Sequence, residues 1–231
     1  MEEKEEAEES GEDRIKDVAE RYNIDLRKLE REQLKLAKNL EIRDSIDFNL
    51  ADRVAGIDNV FFKNRIISAI VVLSGREVVE QEYFEDKLKF PYISGLRAYR
   101  ELSTMVSAFN KLDEKPDLIF VRGQGILHPR NLGLASHFSI ATGIPSIGIA
   151  DSLLVGMVVG EDIFLNGELF GKVLATKKGA RPIYISPGNM ISVETAVKIT
   201  KKFIIEPHKI PEPLRLAKRY AKEIRNEIFK I

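Results

Sequence analysis

Three strand-like runs joined by two tight turns, then helices alternating with short apolar runs, restrict this chain to one kind of sheet. Residues 53–60, 65–73 and 77–83 are rich in Val, Ile and other strand formers, and Lys63-Asn64 and Ser74-Gly75 separate them. Turns that short pair neighbouring strands antiparallel, as a meander. The pattern then changes. Residues 94–112 carry Leu96, Tyr99, Leu102, Val106 and Phe109 at helical spacing, and Pro116 stops the helix. Residues 118–121 form a short strand too apolar to be half-exposed. Residues 131–142 read as a helix and 145–150 as another strand. Residues 168–176 and 181–186 read as a further strand pair ended by Pro187-Gly188, and residues 193–204 and 213–229 as closing helices. The expected fold is α/β: a mixed sheet, antiparallel meander then parallel strands, with helices on both faces. Ligands of such sheets gather at strand ends.

Ahead of the meander the chain has two parts. Residues 1–13 are mostly Glu and Asp, lack the apolar side chains to pack, and are expected to be a disordered tail. Residues 14–50 are expected to be a helical segment, with Leu26, Leu29, Ala37 and Leu40 on one face, leaving residues 51–231 as the main domain. Of the 231 residues, 44% are hydrophobic and none is cysteine, so disulfides and thiolate metal sites are excluded. No run approaches the ~20 apolar residues that span a bilayer. The start is acidic rather than a cationic leader, and a cytoplasmic monomer is expected. Net charge is zero, which argues against a broad high-pI nucleic-acid binder. Lys172, Lys177, Lys178, Arg181, Lys198, Lys201 and Lys202 nevertheless cluster late in the chain, which permits a local basic face or a solvated lysine-rich surface.

The chemistry-bearing residues lie at the predicted strand ends. Asp58 sits within an otherwise apolar strand, Glu101 on the following helix, and Asp117 before the next strand. Two carboxylates from a central strand and an adjacent helix could hold a hard divalent cation that activates water. Alternatively Asp58 pairs with a buried Arg or Lys, which these residues alone favour. After residues 118–121 come Arg122, Gly123, Gln124 and Gly125, then His128, Pro129 and Arg130. Glycines flanking a glutamine let backbone N–H groups come close to a ligand, and His128 and Arg130 suit phosphate or base contact. His137 reads as a packed helix residue, and the three histidines are too scattered for a zinc site.

In its motifs the chain resembles the endonuclease V family, repair nucleases that cut one phosphodiester bond to the 3′ side of a deoxyinosine lesion. The likeness is carried by Glu32-Gln33, Val54-Ala55-Gly56-Ile57-Asp58, Pro91-Tyr92-Ile93, Gly95-Leu96 and Tyr99-Arg100-Glu101. It continues through Gly123-Gln124-Gly125, His128-Pro129-Arg130, Ile147-Gly148, Ser186-Pro187-Gly188 and the closing Leu214-Arg215-Leu216-Ala217. It spans roughly residues 29–220, in order and at similar spacing. The resemblance implies a ribonuclease H-like fold and metal carboxylates at Asp58 and Glu101, with Mg²⁺ or Mn²⁺ as cofactor. It also implies a strand-separating wedge at Tyr92, and an inosine pocket at Gly95, Gly123, Gln124, Gly125, His128, Gly148 and Ala150. The implied partner is inosine-containing nucleic acid, single- or double-stranded DNA or RNA.

Five positions depart from the family pattern. Arg122 stands where the family has a third metal-binding Asp, Asp151 where it has a catalytic Lys, and Asn189 where a His follows Ser-Pro-Gly. Ser94 replaces a Pro of the wedge loop, and Arg97 an apolar pocket residue. A unit charge pair at about 4 Å is worth ~4 kcal/mol at an effective dielectric of about 20, and a dication doubles it. Arg122 therefore works against a divalent cation. One expectation is that Arg122 bridges Asp58, Glu101 or Asp151 and takes the cation's place, leaving a folded nucleic-acid-binding or scaffold protein. The other is that Arg122 turns outward to a scissile phosphate while Asp151 supplies the missing ligand.

Overall fold

The computed structural model describes residues 11–177 and 179–230; most of the expected acidic tail, and Lys178, lie outside the described residues. The helical stretch before the sheet is two helices, α1 Gly11–Arg21 and α2 Leu26–Ala37. Asn23 breaks them with φ +53, and Asp25 caps α2 by accepting from the Lys28 backbone N–H at 2.9 Å.

The meander forms as expected. Strands β1 Arg53–Phe62, β2 Arg65–Ser74 and β3 Glu77–Lys87 pair antiparallel in order. Helix α3 Arg97–Asn110 then crosses to β4 Leu118–Arg122, which lies parallel to β1. Helix α4 Leu134–Thr142 crosses to β5 Ser146–Ala150, parallel to β4. A hairpin the sequence reading did not anticipate follows, β6 Met157–Val159 and β7 Asp162–Leu165, then β8 Glu168–Leu174 and β9 Ile183–Asn189. Strand β9 runs antiparallel to β5 and passes through Pro187-Gly188, where a register shift absorbs the proline. Helices α5 Val193–Phe203 and α6 Glu212–Phe229 complete the chain. Among the described residues the nine strands make one sheet, ordered β3-β2-β1-β4-β5-β9-β8-β7-β6.

Alternation along the strands builds a core on each face. Val54, Leu118, Phe120, Ile147 and Ile149 pack with Ala196, Val197 and Ile199 of α5 and Leu214 of α6. Ala55, Ile57, Ile119 and Val121 pack with Met105 and Ala108 of α3 and Phe138 of α4. Because both faces are covered, β1, β4 and β5 read as nearly unbroken apolar runs. No described helix is long and apolar enough to cross a membrane.

Candidate active site

The parallel register sets the site. Ile57 of β1 stands beside Val121 of β4, so the next pair along the two strands is Asp58 and Arg122. Ile57 and Val121 face α3, and the strand alternation therefore turns Asp58 and Arg122 toward α6. Adjacent strands are only ~4.8 Å apart, which brings the acid and the guanidinium alongside each other. Among the described residues, however, no cation reaches salt-bridge distance of Asp58. Its carboxylate accepts from the backbone N–H of Asn59 at 2.8 Å. Burial pushes its pKa up to about 6, partly offset by that hydrogen bond and by the charges of Arg122, Lys218 and Arg97. The expected Asp58–Arg ion pair is thus an electrostatic neighbourhood without a bridge.

Arg122 is drawn instead to Asp151, at the end of the neighbouring strand β5. Its Nη2 donates to one Asp151 oxygen, and Nζ of Lys209 donates to the other at 2.9 Å. Burial pushes the Asp151 carboxyl up, but the hydrogen bonds and charges of Lys209 and Arg122 together outweigh it and hold the carboxyl below the ordinary carboxylate range. Of the three acids proposed as partners of Arg122, the structure selects Asp151. Asp151 is therefore engaged by two cations.

Glu101 has its own cation. Nε and Nη2 of Arg97 donate to its two oxygens at 2.8 and 2.9 Å, one helical turn apart on α3. Asn59 Nδ2 donates to the same carboxylate at 2.7 Å and is itself held by the Ser68 hydroxyl at 2.6 Å. The β1 residue bonded to Glu101 is thus Asn59. Asp117, the other acid flagged before β4, accepts from the backbone N–H groups of Asp52 and Arg53, both at 3.0 Å, and is a strand-start cap.

The donor set does not suit the divalent cation that the family implies. Both Glu101 oxygens face a guanidinium, the third carboxylate position carries Arg122, and Lys209 and Lys218 add positive charge on the α6 side. Among the described residues no group of three His, Asp or Glu side chains converges closely enough to hold a metal ion.

The loop before α3 is ordered around one carbonyl. Gly95 has φ +76, and its oxygen accepts from Gln33 Nε2 at 3.1 Å, His128 Nε2 at 3.0 Å and Arg130 Nη2 at 3.0 Å. His128 Nδ1 accepts from the Arg130 backbone N–H at 3.2 Å, so the imidazole is neutral with its proton on Nε2. Burial, aided by Arg130, lowers its pKa to about 4, with the Gly95 bond acting the other way. Tyr92, after Pro91 on the same loop, is 64% exposed. A cleft of about 430 Å³ opens beside Gly95 between Ile93, Leu96, Pro129, Arg130 and Leu154 and the helices α1 and α2. Behind it, next to Gln124 and His128, only about 20 Å³ remains, room for one water.

The glycines do different work. A Cβ on Gly148 would lie 2.3 Å from the Gly125 nitrogen, and one on Gly125 would lie 1.9 Å from the Pro187 oxygen. These two, with buried Ala150, let three strand ends press together rather than line the open cleft. Gln124 is buried and donates to the Ser152 carbonyl at 3.0 Å. Gly123 lies against Leu134 and Arg97. Asn189 accepts from the Glu41 backbone N–H at 2.7 Å and ties the segment after α2 to β9. Sequence reasoning overlooked Asn59, Lys209 and Lys218, and noted Arg97 only as a departure. The spacing Arg97–Glu101 was the available signal; the lysines come from remote loop and helix positions.

The sequence pattern that defines the family described as Endonuclease V matches residues 34–219. An Endonuclease V of Thermosipho melanesiensis is 36% identical over 214 residues, 88% of this chain and 90% of that protein. The crystal structure of an Endonuclease_V from Bacillus subtilis superposes with a TM-score of 0.82 at 27% identity, covering 90% of this chain and 96% of that one. An Endonuclease V of Ciona intestinalis, solved with a 24mer DNA containing an inosine followed by a ribo-adenosine, gives a TM-score of 0.79 at 24% identity. It covers 88% of this chain and 98% of that one, and shares the fold. With most of its length matched and the strand order in place, the chain belongs to the endonuclease V family.

Proposed function

We propose that this protein recognises deoxyinosine or inosine in a nucleic-acid strand, with the base entering the cleft beside Gly95 and Tyr92 entering the gap it leaves. The observation that carries this reading is the Tyr92–Gly95 loop: a protruding aromatic next to a carbonyl fixed by three donors. A preset loop lowers the ordering cost of binding, and an aromatic wedge fills an opened base step. Family membership and the inosine-DNA complex of the Ciona relative support the same substrate. In this reading Gln124 and His128 line the narrow space behind the cleft, Gly123, Gly125, Gly148 and Ala150 support it through close backbone packing, and the passing backbone would meet Asp58, Glu101, Arg122 and Asp151.

Metal-dependent cleavage 3′ of the lesion is the family activity, and Mg²⁺ or Mn²⁺ on Asp58 and Glu101 would be its cofactor. Strand recognition without cutting is the second reading, favoured by the Arg97 fork on Glu101 and the guanidinium at position 122. A nicking and binding assay on inosine and guanine oligonucleotides, in Mg²⁺, Mn²⁺ or EDTA, separates them. A nick that Asp58→Asn abolishes establishes cleavage; inosine-selective binding with no nick leaves recognition alone; no preference for inosine sinks both. The protein is taken to act in the cytoplasm as a monomer, which cell fractionation and light scattering would check.

A further inference from the structure

We propose that Asp151 is a built-in stand-in for a phosphate: its carboxylate fills a clamp made by Arg122 and Lys209, and a phosphodiester of the bound strand displaces it without any divalent cation. This rests on the nucleic-acid reading above and adds where the backbone is gripped and what it must expel.

The geometry is a two-cation grip on one anion. Arg122 comes from the end of β4 and Lys209 from the loop before α6, and each donates to a different oxygen of Asp151. A phosphodiester also presents two anionic oxygens on one atom, so a clamp shaped for the carboxylate accepts it. A guanidinium and an ammonium are the side chains suited to phosphate oxygens.

Charge points the same way. Two cations share one carboxylate, and Lys218 stands close enough to act electrostatically on the neighbouring Asp58. Glu101 contributes little free negative charge, because Arg97 neutralises it. The place where a carboxylate triad would attract a dication therefore attracts an anion.

Exposure shows which member can leave. The Arg122 and Lys209 side chains are 15% and 25% exposed, whereas the Asp151 side chain is 54% exposed. The cations are fixed by the fold, while the acid is half in solvent, where ion pairs are weak and readily exchanged. Arg122 Nη1 is buried without a hydrogen-bond partner among the described residues, so the guanidinium has donor capacity that Asp151 leaves unused.

The test is fluorescence anisotropy with a single-stranded inosine oligonucleotide in EDTA, using wild-type protein, Asp151→Ala and Lys209→Ala, each checked for folding by circular dichroism. Asp151→Ala should bind roughly three- to tenfold tighter, with a salt slope steeper by about one phosphate contact. Lys209→Ala should bind more weakly by a similar factor, and wild-type affinity should be the same in Mg²⁺ as in EDTA. Unchanged or weaker binding by Asp151→Ala, or a wild type that needs Mg²⁺ to bind, overturns the clamp. If wild type prefers inosine over guanine strands while both variants match it, the clamp fails and the recognition reading stands. If wild type binds neither strand, both fail. Calorimetric binding of inorganic phosphate to Asp151→Ala without a gain in strand affinity would assign the clamp to free phosphate and overturn its role in strand binding.

Discussion

At the residue scale the central fact is that Glu101 and Asp151 are each engaged by cations, while Asp58 is buried with no ion-pair partner among the described residues. Glu101 has a 2% exposed side chain and is forked by Arg97, so removing its charge leaves a largely buried guanidinium with no anion. Glu101→Gln should cost about 2–3 kcal/mol of stability, discounted for the partial exposure of Arg97. Urea denaturation measures this directly, and a loss under about 0.5 kcal/mol would mean that solvent already screens the pair. Asp58 and Glu101 were legible in the sequence because a charge inside an apolar strand or on a packed helix needs a reason. Arg97 was half-legible, since spacing allows an i,i+4 pair but the side-chain rotamer decides whether it forms. Lys209 was not legible: its approach to Asp151, across 58 positions, is fixed by a loop that carries no periodic signal.

At the element scale, what was readable was whatever obeyed a period or a short turn. The meander and the helix–strand alternation appeared at nearly the expected positions, while β6 and β7 were overlooked. Gly160, with φ +64, turns β6 into β7, and the left-handed pair Asn166 and Gly167, with φ +53 and +84, turns β7 into β8; those residues were the available cues. The break between α1 and α2 was hidden because Asn23 tolerates a positive φ without announcing it as glycine would. Two predictions belong here. Gly148→Ala would drive a methyl group into the backbone of residues 123–125, so the glycine loop after β4 must move off β5, and the variant should be mostly insoluble or lose more than about 3 kcal/mol. Normal expression with an unchanged melting temperature would refute that packing. Gln33→Ala removes donors to the carbonyls of Gly95 and Leu132 and an acceptor for Arg130, whose Nε donates to it at 2.6 Å. It should cost about 1–3 kcal/mol and speed hydrogen exchange across residues 92–97; protection equal to wild type there would show that α2 does not hold the loop.

For the molecule as a whole, two buried groups set opposing responses to acid. The folded His128 value of about 4 lies below the ordinary imidazole value of 6.5, so the unfolded chain takes the proton first and stability falls as pH drops from 6.5 through 4. Asp58 runs the other way: at about 6 against 3.8 it keeps its proton longer when folded, and stability falls as pH rises through that window. Asp58→Asn should therefore melt about 5–10 °C above wild type at pH 7.5, from a burial penalty of about 2–3 kcal/mol, and match it below pH 4. An equal advantage at both pH values would show that ionisation of Asp58 is not the cause. The coupled pairing around Arg122 also acts as a ratchet. Exchanging that guanidinium for a carboxylate in one step would set it beside Asp58 and Asp151 with Lys209 as the nearest counterweight, while Arg97 still occupied Glu101. Restoring a metal-loving pocket thus demands several coordinated replacements, and each halfway protein along that road should be less stable than either destination.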